Sequence, residues 1–182
     1  SFGAAAGITK KYPYCVNGVL RGAKDGFADA QSFIQTDTDK SYILMMNPLK
    51  SFAKYKVVKH LLSNPSVAQD LDSNEQASII ISGKDNGFEG FAAYPLDASA
   101  PLTIPEGKDA TYELSIYLSD GENLIGGYSG NWTIRKDDLK NADEIIFHAV
   151  AQGSATEDER LLFVSGLESY SKTVPLPEIR QS

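Results

Sequence analysis

The stretch "YELSIYLSDG", Tyr112 to Gly121, alternates apolar and polar side chains. Leu114, Ile116 and Leu118 share one side of an extended chain, and Glu113 lies on the other. Successive side chains of a β-strand point to opposite faces, so a period of two is typical of a strand whose sheet is covered on one face only. The chain is therefore expected to contain at least one half-covered antiparallel sheet.

The same logic predicts six strands between Ala77 and Gly166. They are separated by turn sequences rich in Asn, Asp and Gly, which reverse a chain at low cost. The two last strands are more continuously apolar, as expected when both faces are covered. The predicted strands span residues 78–82, 88–94, 111–118, 127–135, 144–151 and 160–165.

This pattern resembles immunoglobulin-like sandwiches in general, without the Cys-Trp-Cys signature of true immunoglobulin domains. We predict an all-β, mainly antiparallel, immunoglobulin-like β-sandwich with one or two short helices in its N-terminal third. The spacing of Phe52, Val57 and Leu61 in "FAKYKVVKHLLSN" fits one helix. Asn64 as a cap, followed by Pro65 at the first helical position, would begin the second.

A chain of 182 residues is long enough for one self-sufficient core. We expect a flexible tether over residues 1–12, a single sandwich domain over 13–170 and an extended tail over 171–182. Two prolines in "TVPLPEIRQS" keep that tail extended, along a sheet edge or free. Within the domain, "SYILMMN" is a further strand candidate, and "LTI" between two prolines is at most a short edge strand.

The net charge of the chain disfavours some classes of binding partner. The chain has 24 acidic and 17 basic residues and a net charge of −7, which repels phosphate backbones and anionic lipid headgroups. No nucleic-acid partner is expected. No run approaches the roughly 18 apolar residues of a membrane-spanning helix, so no span is expected either. A protein or a glycan is the expected partner.

Export is predicted from two features of the sequence. Cys15 is the only cysteine, so no internal disulfide can form. The segment "SFGAAAG" resembles a tether left after removal of a signal peptide or a lipid-bearing residue. We expect an extracytoplasmic protein, in the periplasm, outer envelope or at the cell surface; a remnant of an expression tag or a cut within a longer protein has the same appearance.

Chemistry-bearing motifs are scarce. His60, His148 and Cys15 are far apart in sequence, without the spacing of metal ligands, and no G-x-S-x-G or phosphate-binding loop occurs. No metal or cofactor is expected. His148 alternates with Phe147 and Ala149, which predicts a solvated or packing residue on the less buried face. A pair of carboxylates for hydrolysis stays open, because sequence spacing says nothing about distance in space.

The stretch "SDGENLIGGYSGNWTI" could be a ligand loop or a hairpin. Trp132 shares its face with Tyr128 and Ile134, which predicts a buried core residue. The pair Gly126 and Gly127 is then explained by the start of a strand or a β-bulge, without a ligand. The hairpin interpretation is preferred.

The candidate site follows from strand parity. Alternate connections of an antiparallel run emerge at one end, so the first, third and fifth connections are expected to form a shared acidic rim. Its predicted ligand-binding residues are Asp85, Asn86, Asp120, Glu122 and Asn123. The sequence thus favours a non-enzymatic, exported, envelope-tethered binding or adhesion module. The alternatives are a hydrolase with a carboxylate pair and a structural or assembly subunit that makes contact through Cys15 or the tail.

Overall fold

The computed structural model describes residues 9, 11–84, 87–95, 101–153 and 156–181. Strands dominate this part of the chain and the helices are short. The strands are β1 (Gly18–Gly22), β2 (Ala30–Ile34), β3 (Leu49–Phe52), β4 (Lys54–Leu61), β5 (Asn64–Asp70), β6 (Glu75–Ser82), β7 (Glu89–Tyr94), β8 (Leu102–Pro105), β9 (Ala110–Asp120), β10 (Asn123–Ile134), β11 (Ala142–Ala151) and β12 (Glu178–Gln181). The helices are α1 (Lys136–Lys140), α2 (Glu157–Ser165) and α3 (Leu167–Ser171).

One eight-stranded sheet carries most of the core. Its order is β5-β4-β11-β10-β9-β6-β7, and β12 adds to β11. Neighbouring strands are antiparallel except β4 and β11, which run parallel. The chain is therefore mostly β and rich in antiparallel pairs, as predicted, but its main sheet is mixed. The finer prediction of an immunoglobulin-like sandwich is not confirmed.

The main sheet curls until its two halves face each other. The Tyr55 hydroxyl on β4 donates to the Ala93 carbonyl on β7 at 2.7 Å. The Nζ atom of Lys59 on β4 lies 2.7 Å from both carboxylate oxygens of Glu75 on β6. Because four strands separate β4 from β7 in the sheet order, only strong curvature brings these residues together.

The curl has a corner at Gly126 and Gly127. β10 meets β11 only there, and the register of β10 against β9 shifts between Leu124 and Gly126. A Cβ atom on Gly126 would lie 2.1 Å from the Val150 carbonyl oxygen, and one on Gly127 would lie 2.1 Å from the Ile116 carbonyl oxygen. Any side chain at either position would clash with backbone. The predicted β-bulge is confirmed, and close backbone approach explains both glycines.

β12 pairs with the part of the β11 edge that β10 does not occupy. Ile145 pairs with Ile179, and Ile146 pairs with Glu178. β4 occupies the opposite edge of β11 along most of its length. The C-terminal residues therefore lie extended along a sheet edge, which is one of the two arrangements expected for the tail.

The core lies inside the curl. Leu114, Ile116 and Leu118 are fully buried, as their alternation predicts. Trp132 is only 3% exposed, and its ring meets Phe147 edge-on at 5.7 Å between centroids. Trp132 is thus a core residue, which confirms the hairpin interpretation.

The sixth predicted strand, residues 160–165, is wrong: this segment lies in α2. The helix begins at a capping box in which the Glu159 carboxylate accepts from the Thr156 backbone N–H at 2.8 Å. Glu159 in turn donates its backbone N–H to the Thr156 hydroxyl at 3.4 Å. The T-x-x-E pattern is a helix-start signal, and the strand prediction did not take it into account.

The helices predicted in the N-terminal third are also wrong. Residues 54–61 and 64–70 form the antiparallel hairpin β4–β5, and helices occur only from residue 136 onward in the described ranges. β4 lies between β5 and β11 and is buried on both faces, so its apolar residues are nearly continuous. Such a run fits helix spacing as well as strand spacing. It forms a strand because it pairs with β11, which is distant in sequence.

The N-terminal part of the chain contributes a small separate sheet. β1 and β2 make a two-stranded antiparallel sheet. The predicted strand "SYILMMN" is wrong, because residues 41–47 have no strand ladder. That segment lies against β1 instead: a Cβ atom on Gly22 would be 2.6 Å from Leu44 Cδ2 and 3.6 Å from Met46 Sδ. Ile43 and Met45, which alternate with these two, are exposed.

The chain leaves the main sheet between β7 and β9. There β8 pairs with β3 in a separate two-stranded sheet, consistent with the short strand expected at "LTI". One turn of helix, α1, follows β10, and the Asp138 carboxylate at its start accepts from the Arg135 backbone N–H at 3.1 Å. The excursion through β8 determines at which end of the sheet the later loops emerge.

Candidate functional site

The outer face of β7, β6 and β9, the last three strands of the sheet order, exposes apolar side chains. Phe91 is 62% exposed, Tyr117 39% and Ile80 36%. Ile79 and Ile116, which alternate with them, are fully buried on the core side. Single exposed apolar residues are ordinary, whereas three neighbours on one sheet face form a contiguous patch, which is a candidate binding surface. Phe91, Ile80 and Tyr117 are called the platform below.

The platform crosses three strands diagonally. Ile80 pairs directly with Phe91 on one side and with Ser115 on the other, and Tyr117 is two residues beyond Ser115. With strands about 4.8 Å apart and a rise of about 3.4 Å per residue, the Cα atoms of Phe91 and Tyr117 are about 12 Å apart. The platform is long and narrow, and its direction leads toward β10.

A polar groove of about 430 Å³ lies beside the platform, over the outer face of β9 and β10. The residues that line it are Lys84, Glu113, Leu114, Ser115, Ser129, Gly130, Asn131 and Glu168. Ser115 stands between the platform and the groove, since it pairs with Ile80 and lines the groove as well. Platform and groove therefore form one continuous surface.

Helix α3 forms one wall of the groove and is fixed on β10. The Ser171 hydroxyl accepts from the Ser129 backbone N–H at 2.9 Å and donates to the Leu167 carbonyl at 2.7 Å. Gly127 leaves room for the helix, because a Cβ atom there would lie 3.1 Å from Leu167 Cδ2. Glu168 is thereby held over the sheet.

The groove carries charges of both signs and neutral hydrogen-bonding groups. Lys84 and Glu113 form an ion pair on its floor, and Glu168 lines it as well. Ser115 contributes a hydroxyl and the exposed Asn131 an amide, which can both donate and accept. Such a surface suits a ligand with many hydroxyl groups.

The predicted acidic rim is divided between the two ends of the sheet. Ser82, at the end of β6, pairs with Glu113 near the start of β9, whereas Asp120, at the end of β9, pairs with Glu75 at the start of β6. The β6–β7 connection and the β9–β10 turn therefore lie at opposite ends. The predicted shared end is wrong for these two connections. Asp85 and Asn86 themselves lie outside the described residues.

The shared end was predicted wrongly because the chain leaves the main sheet between β7 and β9 to form β8. β7 and β9 flank β6, and both run antiparallel to it. A continuous antiparallel run would have reversed direction once more between β7 and β9. The loop after β11 does share an end with the β9–β10 turn, because Gln152 donates its backbone N–H to the Ile125 carbonyl at 3.0 Å.

Of the predicted site residues that the structure describes, Asp120, Glu122 and Asn123 lie together at the β9–β10 turn. Asp120 Oδ1 accepts from the Asn74 side-chain amide at 2.7 Å. Glu122 and Asn123 are exposed. These three residues are not part of the platform and do not line the groove. The platform and the groove were not predicted from the sequence. The exposed parity of Phe91 and Tyr117 within otherwise regular strands was the signal that could have revealed the platform.

Two buried histidines meet on the face of β4 and β11 opposite the core, which sequence spacing did not reveal. His60 Nε2 lies 2.9 Å from His148 Nδ1, and His60 Nδ1 lies 2.8 Å from the Pro65 carbonyl oxygen. His60 and His148 are 3% and 6% exposed. Phe147 and Ala149, which alternate with His148, are 0% exposed, so His148 lies on the less buried face as predicted, as a packing residue and not a solvated one.

The hydrogen bonds determine the tautomers of this pair. A carbonyl oxygen only accepts, so Nδ1 of His60 carries the proton and neutral His60 accepts at Nε2. His148 must then donate from Nδ1, which leaves its Nε2 without a proton. Within the described ranges nothing bonds to that buried Nε2; Glu178 Oε1 is 3.5 Å away. Burial and the neighbouring His60 lower the pKa of His148.

An ion cluster, in which Lys59 and Glu75 are buried and Asp72 is exposed, joins β4 to β6. Lys59 Nζ lies 2.6 Å from Asp72 Oδ2 and 2.7 Å from the Glu75 carboxylate. Glu75 Oε2 also accepts from the Asp72 backbone N–H at 2.8 Å. Although burial disfavours the charged amine, these hydrogen bonds outweigh it and raise the pKa of Lys59. The cluster is fully paired, so its role is to close the curl.

The described residues contain no group of three or more His, Cys, Asp or Glu side chains placed to hold a metal ion. In the same part of the chain, none of the helices has the length and apolar character required to cross a membrane.

Comparison of the chain with protein-family models, with curated proteins and with solved structures finds no match.

Proposed function

We propose that this chain is a non-enzymatic binding module that recognises an extended glycan along the platform and the adjoining groove. The carrying observation is that two aromatic rings and an isoleucine are exposed together on the outer face of β7, β6 and β9, beside a polar groove. The proposal keeps the extracytoplasmic location expected from the sequence, where glycans are abundant.

The chemistry of sugars supports this choice of ligand. One face of a pyranose ring presents C–H groups that pack on an aromatic ring, while its hydroxyl groups need donors and acceptors at the edge. Phe91 and Tyr117 offer the first kind of contact. Ser115, Asn131 and Glu168 offer the second. Pockets that combine apolar contact with a few placed polar groups are typical of small-ligand recognition.

A protein partner fits this surface less well. Three side chains cannot supply the roughly 800 Å² that each partner contributes to a standard interface. The cores of protein interfaces are also depleted in charged residues, whereas Lys84, Glu113 and Glu168 stand beside the platform. A flexible oligosaccharide tolerates such a mixed surface because its hydroxyl groups bond to charged and neutral groups alike.

Binding of soluble oligosaccharides, screened on a glycan array and measured by titration calorimetry, tests the proposal. Phe91→Ala and Tyr117→Ala should each weaken binding about tenfold, as expected for a contact worth more than about 1 kcal/mol. Their unfolding midpoints should stay near that of the unaltered chain, since both rings are exposed. Phe33→Ala is the matched control, because Phe33 is 79% exposed on β2, outside the main sheet. Equal effects of all three substitutions, or no glycan retained, would reject the platform.

The same experiment addresses the hydrolase alternative, which gains one supporting observation. Glu113 and Glu168 line the same groove. Two carboxyl groups about 5 to 9.5 Å apart are what glycosidic cleavage requires. Mass spectrometry of the bound oligosaccharide should find it intact after prolonged incubation. Shortened products that disappear in Glu113→Gln and Glu168→Gln would instead assign a hydrolase.

Assembly is the second candidate function. Of the fourteen large apolar side chains that are exposed in the described residues, eight lie between residues 12 and 45. Val19 and Phe33 form an exposed cross-strand pair on one side of the β1–β2 hairpin, and Ile43 and Met45 are exposed on the segment that covers the other side. Sedimentation velocity over a range of concentrations tests this role. Association that Phe33→Ser and Ile43→Ser together abolish would support it, and a monomer at all concentrations would refute it.

The turn group Asp120, Glu122 and Asn123 stays a proposed second contact for a partner. Its combined substitution to Ala should weaken partner binding with little loss of stability, because Glu122 and Asn123 are exposed. Unchanged binding would leave these residues as a solvated turn.

A further inference from the structure

We propose that His148 operates a proton-controlled latch on the C-terminal strand: protonation of this side chain in mildly acidic solution releases β12 from β11. The proposal starts from the buried Nε2 of His148, which faces Glu178 on β12 without a hydrogen bond. It is independent of the glycan proposal, since it concerns the edge of β11 and not the platform.

The junction between β11 and β12 is called the seam below. At neutral pH the side chains of His148 and Glu178 form no hydrogen bond across it. His148 Nε2 and the Glu178 carboxylate both carry lone pairs, and they stand 3.5 Å apart. Nδ1 of His148 is committed to His60. The seam is therefore held by the backbone ladder of β11 with β12 and by the packing of Ile179.

A proton on His148 Nε2 is poorly accommodated while the seam is closed. Burial opposes the charge first, the neighbouring His60 opposes it next, and Arg180 adds a further repulsion. Glu178 is the attractive group, but its other oxygen already binds Arg180 at 3.1 Å. The balance lowers the pKa of His148, so the closed seam resists protonation.

Several charged groups on the other described elements around β11 have partners of their own. On β4, Lys56 pairs with Asp70, and Lys59 faces the interior cluster. Lys50 of β3 donates to the Leu139 carbonyl. Glu113 of β9 pairs with Lys84, α3 directs Glu168 into the groove, and β10 meets β11 at two glycines.

β12 is the element that yields most easily. It has four residues, three of which are exposed, and its register against β11 shifts between Ala142 and Glu144. Terminal segments with few buried contacts open at the lowest free-energy cost in native proteins. Its departure admits water to His148 and removes the burial that opposes the charge.

The sign of the pH dependence follows from this difference. In the open state His148 titrates near its ordinary pKa of about 6.5, whereas in the closed state its pKa is lower. Between the two values the open state binds more protons, so falling pH favours opening. One unit below about 6.5, a single proton raises the opening equilibrium at most about tenfold.

Hydrogen exchange of the full chain, followed by mass spectrometry and corrected for the intrinsic effect of pH, measures this opening. Peptides covering residues 174–181 should gain up to about tenfold in exchange between pH 7.5 and 5.5, while β9 and β10 stay protected. Glu178→Gln removes the attractive group, so release should be more complete at the same acidic pH. His148→Gln cannot take up the proton and should have no pH response in these peptides.

Three outcomes would overturn the latch: no gain in exchange at residues 174–181, the same gain in His148→Gln, or an equal gain across the whole sheet. If His148→Gln does not fold, nitrogen NMR of the unaltered chain supplies the test. The chain has only two histidines, so their signals are readily assigned. His148 should be protonated at Nδ1 near pH 7.5 and titrate below about 6.5; the opposite tautomer or an ordinary titration would contradict the proposal.

Discussion

Lys59 and Glu75 form a buried ion pair across the interior of the curled sheet, with Lys59 Nζ 2.7 Å from both Glu75 oxygens. Their strands are separated by β11, β10 and β9 in the sheet order. The pair therefore acts as a clasp between the two halves of the curl. Its side chains are 8% and 10% exposed, so solvent screens the attraction only weakly.

Breaking this clasp on one side should be costly. Lys59→Met leaves the Glu75 carboxylate buried without its cation, and a loss of about 3 to 5 kcal/mol in the free energy of unfolding is expected. The double variant Lys59→Met, Glu75→Leu should recover most of that loss, because no buried charge is left unpaired. Urea denaturation measures both.

The control for the clasp is the exposed pair of Lys56 and Asp70, whose side chains are 36% and 74% exposed. Lys56→Met should change the free energy of unfolding by less than about 1 kcal/mol. A single Lys59 variant as mild as this control would mean that the two halves of the sheet do not depend on the ion pair.

A second prediction concerns the stability of variants at the corner of the curl. Gly126→Ala places a methyl group where the Val150 carbonyl oxygen is 2.1 Å away, so the backbone must shift, and a loss of at least about 2 kcal/mol is expected. Gly153→Ala is the control, because nothing lies within 4 Å of its added Cβ atom. Thermal unfolding of the two variants should separate them clearly; equal stability would contradict the close approach of β10 to β11.

Trp132 offers a third prediction, and it is the only tryptophan. Its native fluorescence should be blue-shifted and should move to longer wavelength on unfolding, since it is 3% exposed. Trp132→Ala should cost about 3 to 5 kcal/mol because it empties a packed site beside Phe147. Native emission already at the maximum of exposed indole would refute its place in the core.

Strands covered on one face were predictable from the sequence. In β9 and β10 the residues Leu114, Ile116 and Trp132 alternate with polar neighbours, and that alternation records burial directly. β4 was misread because it is buried on both faces, so its apolar run carries no period that distinguishes a strand from a helix. The segment of helix α2 was predicted as a strand, although Thr156 and Glu159 form a capping box at the start of the helix.

The candidate site was harder to predict than the strands, because it depends on which strands become neighbours. The excursion of the chain through β8 placed the turn at Asp120 far from the β6–β7 connection. His60 and His148, 88 residues apart, meet through the parallel register of β4 with β11, which no local pattern encodes. Phe91 and Tyr117 form a platform only because β6 lies between their strands.

The central claim, glycan recognition on the outer face of β7, β6, β9 and β10, is tested most directly by an NMR titration of the folded chain with an oligosaccharide selected on an array. Amide shift changes are expected to centre on Ile80, Phe91, Tyr117 and Asn131. The turn at Asp120–Asn123 and the β1–β2 hairpin should be unaffected. Changes confined to that turn or hairpin, or no change with any array ligand, would contradict the claim.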